Sequence, residues 1–124
     1  MLGGVFSEGI DLPAGALSGV IVVGPSLPAV GLERNRIQQW CEESYGDGFA
    51  YAYLIPGMAR VVQAAGRLIR RPEDRGVVVL VGRRFGWRAY RSLLPEDWRP
   101  LRAQDPVDAV GQFWEVTPSI PEEF

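Results

Sequence analysis

LSGVIVVG at residues 17–24 and GVVVLVG at residues 76–82 are the two stretches that decide the fold. Each is a short and almost unbroken run of aliphatic, mostly β-branched residues that ends in a glycine. Such runs are typical of strands buried on both faces, as in a parallel sheet. The sequence therefore predicts two buried strands, and residues 1–6 have the pattern of the end of a third.

The segments between and after these strands have helical patterns. Helices are predicted over residues 28–45, 56–71, 87–94 and 105–116, with Pro56 in the first turn of the second helix and Pro72 enforcing its end. Residues 49–55, FAYAYLI, fit either a strand or an aromatic-rich connection. Strands separated by helices indicate βαβ units, so the predicted fold class is α/β, a parallel sheet flanked by helices.

Length and composition exclude several kinds of chemistry. The chain has 124 residues, enough for one domain, and its thirteen basic residues are all arginine, with no lysine and no histidine. A phosphate-binding loop with its lysine, a Schiff base and a histidine zinc site are therefore excluded, and no metal ligands are predicted. Cys41 is the only cysteine, so the chain forms no internal disulfide. No membrane span or signal peptide is evident, which predicts a cytoplasmic protein without a membrane partner.

Positive charge is concentrated in the middle of the chain. Residues 59–102 hold eleven of the thirteen arginines and four of the fifteen acidic residues, a net charge of +7, whereas residues 1–58 carry −4 and residues 103–124 carry −5. This basic segment between two acidic ones suggests a surface that faces phosphate, and a solvated arginine-rich face is the alternative.

The predicted helix over residues 56–71 bears on the choice between a phosphate-facing surface and a solvated arginine-rich face. A helical wheel puts four arginines and one glutamine within an arc of about 100°, namely Arg60, Gln63, Arg67, Arg70 and Arg71. The apolar stripe on the core side consists of Val61, Val62, Ala65, Leu68 and Ile69. Like charges at helical spacing repel each other, so an anion facing the arginines explains their clustering. Ion pairs with Glu73 and Asp74 on a solvated face would also explain it.

Two motifs give the sequence a family resemblance. Residues 63–70, QAAGRLIR, resemble the Q-x-x-G-R-x-x-R of motif VI in superfamily 2 helicases, and DRGV at residues 74–77 extends the match. Residues 3–12, GGVFSEGIDL, resemble motif V of the XPD/DinG-type helicases. The order and spacing of the two motifs also match. The resemblance implies that residues 1–124 are the C-terminal part of a second RecA-like domain, a partial domain whose N-terminal strands are missing.

The resemblance also implies roles for individual residues. Arg67 and Arg70 would be the arginine fingers for ATP hydrolysis. The nucleotide would be met by Gln63, Gly66, Gly9 and Asp11. Ser7 and Glu8 would lie near the single-stranded DNA path. From the residues themselves, Arg60 on the arginine face and Arg83 after the second strand are the further candidates for contacts with DNA phosphates, although arginines at a strand end are solvated at least as often. On the residues alone, Glu8 and Asp11 are better read as cap or turn carboxylates than as an acid/base pair.

Two further features concern the end of the chain. Gly82 stands where members of the family often carry an acidic residue, which puts in doubt an ion pair near the motif VI helix. Four aromatic residues after β-strand 76–82 could stack on bases, but core packing is the favoured interpretation for Trp87, Trp98, Phe113 and Trp114. The helix over residues 105–116 lies within the acidic tail, residues 103–124.

The sequence thus predicts the C-terminal segment of an ATP-dependent DNA helicase. ATP and Mg²⁺ would serve the parent enzyme, whereas this chain alone would bind neither and would be inactive. The expected partners are single-stranded DNA and the first RecA-like domain, and an open sheet edge predicts self-association. The alternative is a noncatalytic nucleic-acid-binding or protein-binding module with a motor-derived fold.

Overall fold

The two apolar runs form the predicted strands. In the computed structural model, which describes residues 17–116, β1 (Gly19–Val23) pairs with β2 (Val77–Val81) in parallel, and Ile21 lies opposite Val79. Parallel pairing over so long a sequence separation requires a crossover, which the helices between the strands supply. The predicted strand at residues 1–6 lies outside the described residues.

Helices occupy most of the remaining described chain. They are α1 (Leu32–Tyr45), a π-helix (Ala50–Leu54), α2 (Ile55–Ala65), a 3₁₀ helix (Arg83–Gly86), α3 (Arg88–Arg91) and α4 (Pro106–Glu115). The result is a mixed α/β domain in which helices flank a two-stranded parallel sheet. The predicted fold class is confirmed, as is the existence of all four predicted helices.

The prediction for residues 49–55 was wrong, since this segment is neither a strand nor a connection. Its π-helix packs against α1, where the Tyr53 hydroxyl donates to Asn35 Oδ1 at 3.0 Å and the Arg34 guanidinium donates to the carbonyl of Ala52 at 3.2 Å. Ala52, Tyr53 and Leu54 are buried. Burial against α1 decides the conformation of a run whose short apolar sequence does not distinguish between strand and helix.

The hydrophobic core lies between one face of the sheet, α2 and the chain after β2. Its buried members are Val22, Leu54, Met58, Val61, Phe85 and Tyr90. Val20 and Leu80 add partly buried side chains from the same face of the two strands. The side chains of a strand alternate between the two faces, so Ile21, Val23 and their β2 neighbours point the other way.

That other face corrects the prediction of strands buried on both sides. Ile21 is 70% exposed, Val23 is 78% exposed and Val81 is 45% exposed. Within residues 17–116, helices therefore cover one face of the sheet and leave an apolar strip on the other. We call this strip, formed by Ile21, Val23 and Val81, the outer sheet face.

The four aromatic residues expected in the core are also placed differently. Trp87, Phe113 and Trp114 are exposed and Trp98 is half-buried, and α4 buries none of its side chains. The prediction that these residues pack in the core was wrong. Phe113 and Trp114 instead contact a single arginine, described below.

No helix between Leu17 and Val116 is both long and apolar enough to cross a membrane.

Candidate functional site

The second helix ends earlier than its sequence predicts. α2 stops at Ala65, and Gly66 then closes the helix with its N–H bonded to the carbonyl of Val62 at 2.8 Å. The next bond, from the Leu68 N–H to the carbonyl of Ala65 at 3.0 Å, has the tighter spacing of a turn. Residues 66–76, here named the arginine turn, therefore leave the helix before Arg67.

A carboxylate holds the turn that follows the end of the helix. Asp74 Oδ2 accepts hydrogen bonds from the backbone N–H groups of Arg70 and Arg71, both at 2.9 Å. Those two amides would otherwise bond to helical carbonyls four residues earlier, so the carboxylate offers the backbone a competing structure. The Asp74 N–H returns a bond to the carbonyl of Arg71 at 3.0 Å, which closes the turn.

The helical wheel is therefore wrong for the later arginines. Arg60 and Gln63 share a face of α2 because they are three residues apart, with Arg60 half-buried and Gln63 exposed. Arg67 and Arg70 lie instead in the arginine turn, where Arg67 is half-buried and Arg70 is exposed. Arg60 thus lies in the middle of α2 and Gln63 on its last turn. Arg67 and Arg70 follow in the arginine turn, so the four predicted residues do not share one helix face.

The arginine turn is held against the start of β2 by a close contact. Leu68 is 4% exposed, and a Cβ atom added to Gly76 would lie only 2.4 Å from Leu68 Cγ. A side chain at position 76 would displace the buried Leu68, so glycine is required for this approach. Since Gly76 directly precedes β2, the arginine turn lies at the amino-terminal edge of the sheet.

The other end of α2 confirms its direction. A Cβ on Gly57 would lie 2.8 Å from Leu27 Cδ2, so the start of α2 rests on the segment that follows β1. α2 therefore runs from the carboxyl-terminal edge of the sheet to the amino-terminal edge, antiparallel to the strands, as a crossover helix must.

Arg83 lies at the opposite edge of the sheet from the arginine turn. It begins the 3₁₀ helix directly after β2 and is exposed. A strand of five residues spans about 17 Å, so Arg83 and the arginine turn are separated by roughly that length. The basic middle of the sequence thus forms two surfaces, one at each edge, rather than one.

The second basic surface consists of exposed arginines on the 3₁₀ helix and α3, namely Arg83, Arg84, Arg88 and Arg91. Trp87, which is 55% exposed, lies among them and meets Tyr90 in a T-shaped contact with ring centroids 5.9 Å apart. Four arginines around an exposed aromatic ring form a surface suited to an anionic polymer with stacking bases.

The structure describes only one of the two glycines that are predicted at the nucleotide site. Gly66 has an ordinary helical φ of −63°, so its backbone does not require glycine, and a Cβ there would meet the carbonyl oxygen of Val62 at 3.2 Å. Gly9 lies outside the described residues, together with the predicted Ser7, Glu8 and Asp11. Nothing in the structure tests the roles implied for them.

Gly82, where the sequence departs from the family pattern, has an unusual backbone conformation. Its φ is +148°, a conformation that L-residues rarely adopt. An acidic residue at this position would be strained, so glycine suits the local backbone. No ion pair from position 82 to the arginine turn exists in this chain.

Sequence reasoning missed the contribution of Asp74 and Arg75. The motif match extended through both residues but gave them no role. Asp74 holds two amides of the arginine turn, and the Arg75 guanidinium donates to the backbone carbonyls of Phe113 and Val116 at 2.9 Å each. A partner about forty residues away leaves no local signal in the sequence.

These features define a class of protein. At the amino-terminal edge of its sheet, this parallel α/β domain has a turn with the pattern G-R-x-x-R. A glutamine on the last turn of the crossover helix comes shortly before this pattern. Among residues 17–116, no group of three or more carboxylate, thiol or imidazole side chains could hold a metal ion. The guanidinium groups of the turn are suited to binding anions. This combination is the one that resembles motif VI of superfamily 2 helicases.

The chain belongs to the helicase C-terminal domain family, whose model matches residues 1–101. It is 32% identical over 101 residues to the ATP-dependent DNA helicase DinG of Photobacterium profundum. This alignment covers 80% of the chain and 14% of that helicase. It is 34% identical over 127 residues to the human regulator of telomere elongation helicase 1, covering 91% of this chain and 10% of that protein.

A third relative is the ATP-dependent DNA helicase YoaA of Escherichia coli, 32% identical over 108 residues. The chain spans 10 to 17% of the length of these three relatives. The resemblance to XPD/DinG-type helicases is thereby confirmed at the level of the C-terminal helicase domain.

Proposed function

We propose that this chain works as the C-terminal segment of an ATP-dependent DNA helicase and supplies Arg67 and Arg70 as arginine fingers. The observation that supports this most directly is the arginine turn itself. Two hydrogen bonds to Asp74 and the contact of Leu68 with Gly76 fix a short turn in which the two arginines stand three residues apart. A rigid turn can aim a planar guanidinium at phosphate oxygens with little loss of conformational entropy.

The electrostatics of the turn suit phosphoryl transfer. Negative charge on the γ-phosphate oxygens must be stabilised in the transition state, and an arginine delivered from a second domain supplies a positive charge and two parallel hydrogen bonds. Gln63, exposed on the last turn of α2, would approach the same phosphate. Gly66 would let the backbone come near the nucleotide, and Gly9 and Asp11 would complete the contact.

Mg²⁺ does not fit the described part of this chain. The candidate residues there carry guanidinium and amide groups rather than carboxylates, and no group of metal-ligating side chains exists between residues 17 and 116. In the proposed enzyme, the first RecA-like domain would therefore contribute the metal ligands and the phosphate-binding loop. This chain alone would be inactive.

Single-stranded DNA is the proposed macromolecular partner. Arg60 on α2 and Arg83 after β2 would contact its phosphates at the two edges of the sheet, and Ser7 and Glu8 would lie along the same path. The exposed arginines around Trp87 support a nucleic-acid surface at the carboxyl-terminal edge. A noncatalytic binding module remains the competing candidate, because these arginines would serve it equally well.

We expect Arg60→Ala and Arg83→Ala each to weaken single-stranded DNA binding and to reduce its dependence on salt. A phosphate contact that is lost lowers the slope of log K against log[salt] by about 0.7 for a single strand. Fluorescence anisotropy titrations of an oligonucleotide at several salt concentrations measure this slope. Arg36→Ala, which removes an exposed charge from α1, is the matched control. Unchanged slopes in both variants would exclude these arginines from the DNA path.

We propose that the isolated chain self-associates through the sheet. The outer sheet face exposes Ile21, Val23 and Val81, and apolar surface of this kind tends to be covered. Sedimentation velocity over a range of concentrations should show dimers or larger species, and Val23→Lys should shift the distribution toward monomer. A monodisperse monomer of the unmodified chain at high concentration would contradict this proposal.

A further inference from the structure

The side chain of Arg75 holds the end of the last described helix, α4. The Arg75 guanidinium donates two hydrogen bonds, to the carbonyl oxygens of Phe113 and Val116, both at 2.9 Å. Its carbon Cζ also lies 4.9 Å from the ring centroid of Phe113 and 5.4 Å from that of Trp114. The two rings meet edge to face, with centroids 5.1 Å apart, and so present adjacent surfaces to the cation.

These contacts meet the specific needs of the C-terminal end of α4. The last carbonyls of a helix have no partner within the helix and carry partial negative charge. α4 has no basic residue in its own last turn, so Arg75 supplies from outside the positive charge that this end lacks. The opposite end is satisfied locally, since the Asp105 carboxylate accepts from the N–H groups of Val107 and Asp108 at 2.9 and 3.1 Å.

Arg75 is flanked by the two residues that shape the arginine turn. Asp74 before it bonds to the amides of Arg70 and Arg71, and Gly76 after it leaves room for the side chain of Leu68. Three consecutive residues thus join α4, the arginine turn and the start of β2. Any displacement of the Arg75 backbone would be passed to the carboxylate of Asp74 one residue away.

We propose that Arg75 is a positioning residue, which clamps α4 to residues 74–76 and thereby sets the orientation of Arg67 and Arg70. This inference rests on the proposed function of the arginine turn. It assigns to α4, which lies beyond the residues matched by the family model, a role in aligning the fingers. Without the clamp, the Asp74 carboxylate loses its fixed position and the arginine turn opens more often.

The first test follows the two amides directly in the 124-residue chain. In Arg75→Ala, hydrogen exchange at the Arg70 and Arg71 amides should accelerate at least about tenfold, since hydrogen bonds from a charged group are lost. Asp74→Ala is the positive control, because it removes the acceptor itself. Arg36→Ala, an exposed arginine of α1, should leave both amides unchanged. Unaltered exchange in Arg75→Ala would overturn the clamp.

The second test asks whether the clamp serves the fingers, in the full-length protein that carries this segment. Arg75→Ala should lower kcat about ten- to a hundredfold through misplacement of the reacting groups, with nucleotide Kd changed by less than about threefold, as expected for loss of transition-state contacts alone. Both hydrogen bonds of Arg75 come from the single nitrogen Nη2, which the shorter lysine side chain does not reach, and an ammonium lacks the planar face that stacks on the two rings. Arg75→Lys should therefore recover only part of the loss. Phe113→Ala combined with Trp114→Ala should give a similar loss, and adding Arg75→Ala to that pair should cost little more.

The outcomes separate the clamp from the proposed function. If Arg67→Ala lowers kcat but neither Arg75→Ala nor the ring variants do, the positioning role is wrong while the fingers stand. If Arg67→Ala leaves kcat unchanged, the proposed function is wrong and the positioning role falls with it. Should Arg75→Ala fail to fold, Arg75→Lys and the ring variants decide the same question, since each weakens the clamp without removing all of it.

Discussion

Replacing Arg67 with alanine in the full-length protein is expected to lower kcat by at least about a hundredfold, because an arginine finger in other nucleotide hydrolases contributes about 10³ to 10⁵ in rate. The affinity for ATP should change much less. A finger acts on charge that develops during hydrolysis, so its removal weakens the transition state more than the ground state. Steady-state ATPase kinetics and an independent nucleotide Kd measure the two effects.

A lysine at position 67 and alanines at two other arginines serve as controls for this expectation. Arg67→Lys should restore little activity, because an ammonium lacks the planar fork. Arg70→Ala should resemble Arg67→Ala, since both residues lie in the arginine turn, whereas Arg60→Ala should act through DNA affinity. Near-normal turnover in Arg67→Ala, or a loss confined to DNA binding, would make the arginine turn a nucleic-acid surface.

The isolated chain is expected to hydrolyse no ATP above the buffer rate. It carries guanidinium groups for the phosphates but no lysine for a phosphate-binding loop, and its described part has no cluster of metal ligands. A sensitive phosphate-release assay on a rigorously purified sample measures this, with Arg67→Ala purified in parallel. If the isolated chain clearly hydrolyses ATP and Arg67→Ala does not, the proposal that this segment depends on a first motor domain is wrong.

The strands and their pairing were predictable because local composition determines them. Unbroken β-branched runs that end in glycine have few alternatives to a buried strand, and the helical segment between them requires parallel pairing. α4 was equally predictable, since Asp105 and Pro106 mark its start and the side chain of Asp105 caps it as expected. The exposure of its aromatic residues was not predictable, because Phe113 and Trp114 contact Arg75 about forty residues earlier.

The arginine turn shows where a periodic pattern misleads. Residues 56–71 have a helical pattern throughout, and the wheel places the arginines on one face. The helix nevertheless ends at Ala65, and beyond it the Asp74 carboxylate accepts from the amides of Arg70 and Arg71, which a longer helix would bond to its own carbonyls. A helical pattern does not reveal a competing acceptor three or four residues beyond its end. The geometry inferred for the motif residues was wrong, and their roles stay a prediction.

The central claim is that Arg67 and Arg70 act on the transition state of ATP hydrolysis. The most direct measurement compares the binding of ADP with aluminium fluoride, a transition-state analogue, against a nonhydrolysable ATP analogue in the full-length protein, with Arg36→Ala as the matched control. Arg67→Ala and Arg70→Ala should each weaken binding of the transition-state analogue at least about a hundredfold and binding of the ground-state analogue by less than about threefold. Equal weakening of the two analogues, or unchanged binding of both, would contradict the assignment of these residues as arginine fingers.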